Sequence, residues 1–191
     1  VKLHFAASLE AKRLTLDSMG ERIVQAAEHL ADRLRQGNKI LVCGNGGSAA
    51  DAQHCAAELV NRFEIERPGL AAIALTTDSS VLTSIANDYT FGQIFARQVR
   101  SLGKASDVLL AISTSGNSQN VLTAIIAARE LGLSTVALTG RDGGCITEQL
   151  GGEDIEIRVE ATATARIQET HILVIHCLCD LVDRRLYGDQ E

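Results

Sequence analysis

Lys39-Ile40-Leu41-Val42-Cys43-Gly44-Asn45-Gly46-Gly47-Ser48 is an apolar run of strand length that breaks into glycines and a serine, and an alanine-rich helical stretch, 49–63, follows it. A continuous apolar run, rather than an alternating one, marks a strand covered on both faces. Glycines at its carboxyl end let the backbone approach an anion, and the free N–H groups of the next helix point toward it. Runs of the same kind recur at 71–75, 108–112, 135–138 and 155–159, separated by helical stretches, notably 91–102 and 119–131. The βαβα rhythm predicts a doubly wound, three-layer α/β/α sandwich on a five-stranded parallel sheet.

Upstream, positions 5–36 are rich in Ala, Leu, Glu, Arg and Gln, interrupted by Gly20, and read as two helices or one bent one ended by Gly37-Asn38. The expected organisation is one domain over 1–191: a helical segment, 1–37, and an α/β core, 38–191. A long last helix, 164–186, carries Ile167, Ile172, Ile175, Cys179, Leu181 and Val182, too many apolar positions for one stripe. Part of it is expected to pack against another subunit or the N-terminal helices.

Composition narrows the function classes. Aromatic residues make up 3% of the chain, Trp is absent and the net charge is −6, so stacking platforms and a basic face for nucleic acid are lacking. No apolar run nears the roughly 20 residues of a membrane span, and the N-terminus shows no charged-then-apolar leader; a cytoplasmic location without membrane contact is expected. The five cysteines are odd in number and sit mostly in apolar segments, as reduced core thiols do. Cys177 and Cys179, two apart on a helix, point to nearly opposite sides and do not suit one metal.

Ser113-Thr114-Ser115-Gly116-Asn117-Ser118 follows the third strand just ahead of a helix, as Gly44 to Ser48 follows the first. Ligands of open parallel sheets sit beyond the carboxyl ends of the strands, and hydroxyls with a helix N-terminus make a neutral cradle for a phosphate. Ser, Asn and Gly are also ordinary capping and turn residues; two such loops at corresponding strand ends favour ligand binding over capping alone. Gly44, Gly46 and Ala49 fit the loose form of the dinucleotide fingerprint. The acidic residue expected about 20 positions on is replaced by Thr76-Thr77, which weakens that alternative.

His54 and Glu58, four apart, share a helix face near this ligand end, a spacing that suits a shared metal, an acid/base pair or a plain surface hydrogen bond. The last helix supplies Gln168, Glu169, His171 and His176. Gln168 and His176 stand about 12 Å apart along one helix axis, so a site using both implies a bend or different chains, and an intersubunit site is expected. Asn87-Asp88, following the helix after the second strand, reads as a loop contact for sugar hydroxyls or as an ordinary turn.

Taken together, Cys43 to Ser48, Asp51-Ala52-Gln53-His54 through Glu58, Ile112 to Ser118, Leu138-Thr139-Gly140-Arg141-Asp142-Gly143-Gly144 and Arg166-Ile167-Gln168-Glu169 with His176 resemble the bacterial phosphoheptose isomerases over nearly the whole chain. That family has the sugar isomerase (SIS) fold and converts sedoheptulose 7-phosphate to D-glycero-D-manno-heptose 7-phosphate, the entry to lipopolysaccharide heptose. The resemblance implies that Asn45, Gly46, Gly47 and Ser48 line the substrate, that Ser113, Thr114, Ser115 and Ser118 hold its phosphate, and that Asn87 and Asp88 meet the sugar. It implies one zinc ion per subunit on His54, Glu58, Gln168 and His176, with Glu58 and His176 as the catalytic acid/base groups and Glu58 and Gln168 also touching substrate. It further implies a homotetramer with sites between subunits. Ala165 departs from the pattern, standing where some members carry an aspartate, which puts one sugar contact in question. A binding protein of the same fold that associates with the replication initiator, and an isomerase of another sugar phosphate, are the competing expectations. The stretch Cys177 to Asp183 resembles the former, which lacks the residues kept here as Glu58 and His176.

Overall fold

The computed structural model describes residues 1–188. Helix α1 spans Lys2–Arg35 and strand β1 Ile40–Gly44; α2 (Gly47–Val60), β2 (Ala72–Ala74) and α3 (Ser79–Asp88) follow. After a single 3-10 turn, Phe91–Gln93, come α4 (Ile94–Leu102), β3 (Val108–Ser113), α5 (Gln119–Glu130), β4 (Ser134–Gly140), α6 (Gly144–Gln149), β5 (Ile155–Val159) and α7 (Thr164–Tyr187). The five strands are parallel in the order β2-β1-β3-β4-β5. The predicted doubly wound sandwich is the observed fold, and the order reverses direction between β1 and β3.

Alternate strand residues feed two separate cores, as the period of two demands. Ile40, Val42, Val108, Leu110, Ile112, Val136 and Leu138 face α1, α2 and α7. Leu41, Cys43, Leu109, Ala111 and Ala137 face the opposite layer, which holds α3 to α6. β1, β3 and β4 are buried at every residue, which explains why they read as unbroken apolar runs.

The N-terminal segment is one helix that continues through Gly20. At 34 residues α1 is about 50 Å long, and its buried positions concentrate from Ile23 to Leu34. Earlier, Phe5, Leu9 and Leu16 share one face and are each about two-thirds exposed, at 69%, 68% and 67%. α7 packs along the second half of α1, so the surplus apolar positions of the last helix do meet the N-terminal helix. The helix expected after the second strand is α3, while the short α6 has no counterpart in the sequence-based expectation. α3 is built from Ser, Val, Thr and Asn around one buried residue, Ile85, and starts because Asp78 accepts a hydrogen bond from the Val81 N–H at 2.9 Å. Among the described residues no helix is long and apolar enough to cross a membrane.

α7 is tied to the sheet by His171, which is fully buried and whose Nε2–H donates to the Thr139 carbonyl at 2.8 Å, while Nδ1 has no partner. Burial pushes the imidazole pKa from 6.5 down to about 4, against the pull of the Thr139 carbonyl. Between those values the unfolded chain takes up a proton that the folded chain refuses, so this contribution is complete above 6.5 and is lost as pH falls toward 4. The loss amounts to about 3 kcal/mol at most. Gln at position 171 keeps a donor for Thr139 and removes the titration. The slope of urea-unfolding free energy against pH across this window is therefore expected to be shallower in His171→Gln than in the parent chain, and equal slopes would refute the assignment.

Candidate active site

The reversal of strand order between β1 and β3 opens a crevice beyond their carboxyl ends, the position where ligands sit in such sheets. Register fixes what borders it: Cys43 pairs with Ala111 and Gly44 with Ile112, so the Gly44–Ser48 turn and the Ser113–Ser118 turn emerge side by side. The first turn is tied to the start of α5, directly beyond the second, by a reciprocal amide pair in which Asn45 Nδ2 donates to Asn120 Oδ1 and Asn120 Nδ2 to Asn45 Oδ1, both at 2.8 Å. Asn120 is 3% exposed and carried no signal in the sequence. The Asn45 side chain is thus spent on holding the turns together, and the backbone of Gly46 and Gly47 is what the first turn presents.

The second turn is held against the start of α6. Gly116 has φ +67° and lies against the Gly143 carbonyl, leaving no space for a Cβ. The Ile146 N–H donates to the Gly116 carbonyl at 3.0 Å and the Cys145 N–H to Asn117 Oδ1 at 3.0 Å. Ser118 is the N-cap of α5 yet makes no side-chain capping bond; its Oγ accepts from Ser113 Oγ at 3.1 Å. Ser48 likewise lies within α2 rather than capping it, and no side chain caps that helix. Capping therefore does not account for these hydroxyls.

α2 and α7 run alongside one another. Gln168 covers the first turn, its amide occupying the space a Cβ on Gly47 would need. Further along, the His54 and His176 rings meet edge to face with centroids 5.1 Å apart, and Phe63 stacks on His176 at 5.6 Å. His54 Nε2 and Glu58 Oε1 are hydrogen-bonded at 2.9 Å, with the Glu58 side chain 23% exposed. His54, Glu58 and His176 thus gather within one chain, and Gln168 lies two turns earlier on α7, against the start of α2. Cys179 lies against Cys55 on α2; that thiol and burial push the Cys179 pKa up, which keeps Cys179 inert.

Asp51, on the same helix, has a definite place in this cluster. It is 8% exposed, close to His54 and in hydrogen-bonding reach of Gln168, and its Oδ2 has no partner. Burial raises its pKa, opposed by His54 and Gln168. Two imidazoles, a carboxylate and an amide oxygen, backed by a second buried carboxylate, are donors of the kind zinc takes, so the residues present fit such an ion by type. Among the described residues no three His, Cys, Asp or Glu side chains close into a metal-holding group. Asn87 and Asp88 are the last two residues of α3 rather than a loop; both are exposed and Asn87 Nδ2 donates to Asp88 Oδ1 at 2.8 Å.

A hollow of about 750 Å³ lies at the opposite, amino end of the strands, between Arg33, Ser106, Arg129 and Glu148. It holds none of these groups. Strand-end geometry, not volume, locates the site.

A family model for the SIS domain matches residues 4–140. A phosphoheptose isomerase of Halorhodospira halophila is 61% identical over 184 residues, 96% of this chain and 93% of that protein. Among solved structures, phosphoheptose isomerase GmhA from Neisseria gonorrhoeae superposes with a TM-score of 0.91 at 53% identity, and a phosphoheptose isomerase from Francisella tularensis with 0.93 at 46%, each alignment covering 96% of both chains. By sequence over nearly its full length and by fold, the chain belongs to the SIS-domain family and, within it, to the phosphoheptose isomerases.

Proposed function

We infer that the chain is an aldose–ketose isomerase that converts sedoheptulose 7-phosphate to D-glycero-D-manno-heptose 7-phosphate, in the cytoplasm, at the start of lipopolysaccharide heptose synthesis. Beside family membership, the observation that carries this reading is the gathering of His54, Glu58 and His176 along α2, the helix that starts at the first of the two paired strand-end turns.

The reaction moves a proton between C1 and C2 through an enediol, which calls for a base, an acid at oxygen and stabilisation of negative charge. Ser113, Thr114, Ser115 and Ser118 hold the phosphate. The backbone of Asn45, Gly46 and Gly47, with Ser48, Gln168, Asn87 and Asp88, orients the sugar. Glu58 takes the proton from one carbon and returns it to the other, its Oε1 steadied by His54 so that Oε2 is left to accept. His176 exchanges the proton at the substrate oxygens. His54, Glu58, Gln168 and His176 would hold one zinc ion per subunit, which when bound supplies Lewis-acid polarisation of the carbonyl. The exposed apolar face of α1 at Phe5, Leu9 and Leu16 supports a homotetramer, in which neighbouring chains complete the walls of each site.

Glu58→Gln is expected to fold normally and to lose turnover by about 10²- to 10⁴-fold. Near-normal turnover would end the assignment, and a parent chain with no turnover of this sugar phosphate would favour a binding role instead. Asn120→Ala leaves Asn45 without its partner and frees the first turn. KM is expected to rise about tenfold with a smaller change in kcat, because the contact positions substrate-binding backbone. Elemental analysis should find zinc in stoichiometric amount, and chelation should lower both the thermal midpoint and the turnover, each recovered on adding zinc back. Metal-free protein of unchanged stability and activity would remove zinc from the account.

A further inference from the structure

The segment between α2 and β2 has no regular structure, yet it carries the most deeply buried ion pair of the described residues. Arg67 Nε donates to Asp183 Oδ1 at 2.7 Å, with side chains 1% and 5% exposed. The rest of the guanidinium is turned onto the carbonyl end of α2. Nη2 donates to the Glu58 carbonyl at 2.9 Å, and Nη1 to the carbonyls of Leu59 at 2.7 Å, Pro68 at 3.2 Å and Asn61 at 3.4 Å. α2 has no basic residue in its own last turn, so these orphan carbonyls and the negative end of the helix are met from outside.

Asp183 lies on α7 seven residues beyond His176, two turns along the same face. One side chain therefore grips the backbone of Glu58 on α2 and, through Asp183, the face of α7 that bears His176. A lysine's point charge could neutralise Asp183 but would not present a planar fork of donors to four carbonyls at once. Burying such a pair costs desolvation that apolar side chains would avoid, and Asp183 Oδ2 is left without a partner. Stability alone is a poor reason for it.

We propose that Arg67, anchored by Asp183, is a positioning residue that sets the distance between Glu58 on α2 and His176 on α7. The inference rests on the reading of Glu58 as the base. The phosphate turns lie at the other end of α2 and do not contact Arg67, so the role belongs to the chemical step and not to substrate capture.

Two variants separate positioning from folding. Arg67→Lys keeps a cation for Asp183 and loses the fork. Arg67→Met combined with Asp183→Leu removes both buried charges for apolar groups of similar size, a replacement that restores or raises stability in other buried pairs. Steady-state kinetics on sedoheptulose 7-phosphate and urea unfolding are measured for both, beside the parent chain and Glu58→Gln. Arg67→Lys is expected to lose about tenfold in kcat with KM within about twofold of the parent. The double variant is expected to unfold at a urea concentration near the parent's, yet to remain about ten- to a hundredfold low in kcat.

A kcat within about twofold of the parent in either folded variant overturns the inference, as does a loss that merely tracks the folded fraction. If neither variant folds, the pair is a determinant of the fold and the inference likewise falls. An inactive parent chain, or an active Glu58→Gln, overturns the reading of Glu58 and this inference with it; an active parent, an inactive Glu58→Gln and unaffected Arg67 variants overturn this inference alone.

Discussion

The parallel pairing of β1 with β3 is the constraint from which the site follows. Their register places Gly44 beside Ile112, and the strand order turns back on itself between them. Two turns of unrelated sequence are thereby brought level at one crevice. A slip of a single residue would exchange the two faces of the strand, moving Ile40 and Val42 out of the layer under α2 and α7 and Leu41 and Cys43 out of the other. Register is thus specified by burial on both sides, and the site inherits that specification.

The second element is the side-by-side course of α2 and α7. Contacts progress in order from Gly47 with Gln168, through His54 with His176 and Cys55 with Cys179, to the end of α2 with Asp183 by way of Arg67. Small residues make the approach possible: Ala52, Cys55 and Ala56 are buried on α2, and Cys179 on α7. Polar groups brought into such a seam must find partners or serve a purpose, and they run its whole length, from Asp51 and Gln168 through His54 and His176 to Arg67 and Asp183.

The layers, the strand order's βαβα basis and both turns were legible in the sequence because each depends on local pattern: apolar runs of strand length, then glycine or serine, then a helix. The bounds of α3 were not, since Ser79–Asp88 combines middling helix formers with a single buried side chain, and the aspartate ahead of it was the one readable sign. Spacing along α7 made Gln168 and His176 look too distant to cooperate, and that arithmetic was correct for one helix. The structure keeps them two turns apart, Gln168 against Gly47 and His176 against His54, and a spacing along one helix carries no record of the second helix that meets both. Asn120 and Arg67 were invisible for a related reason: their partners are 75 and 116 residues away, and no local pattern announces such a meeting.

The turn at Gly116 carries a thermodynamic consequence. Its backbone rests directly on that of Gly143, with Ile146 and Cys145 donating N–H groups into the same knot. Little of the cradle consists of long side chains that must be immobilised when a guest arrives, so occupancy carries a small entropic penalty. For the dianion proposed to bind there, a pre-shaped surface would exchange water contacts for N–H and O–H contacts, and its expected calorimetric signature is enthalpic, with only a modest change in heat capacity because little apolar area is covered.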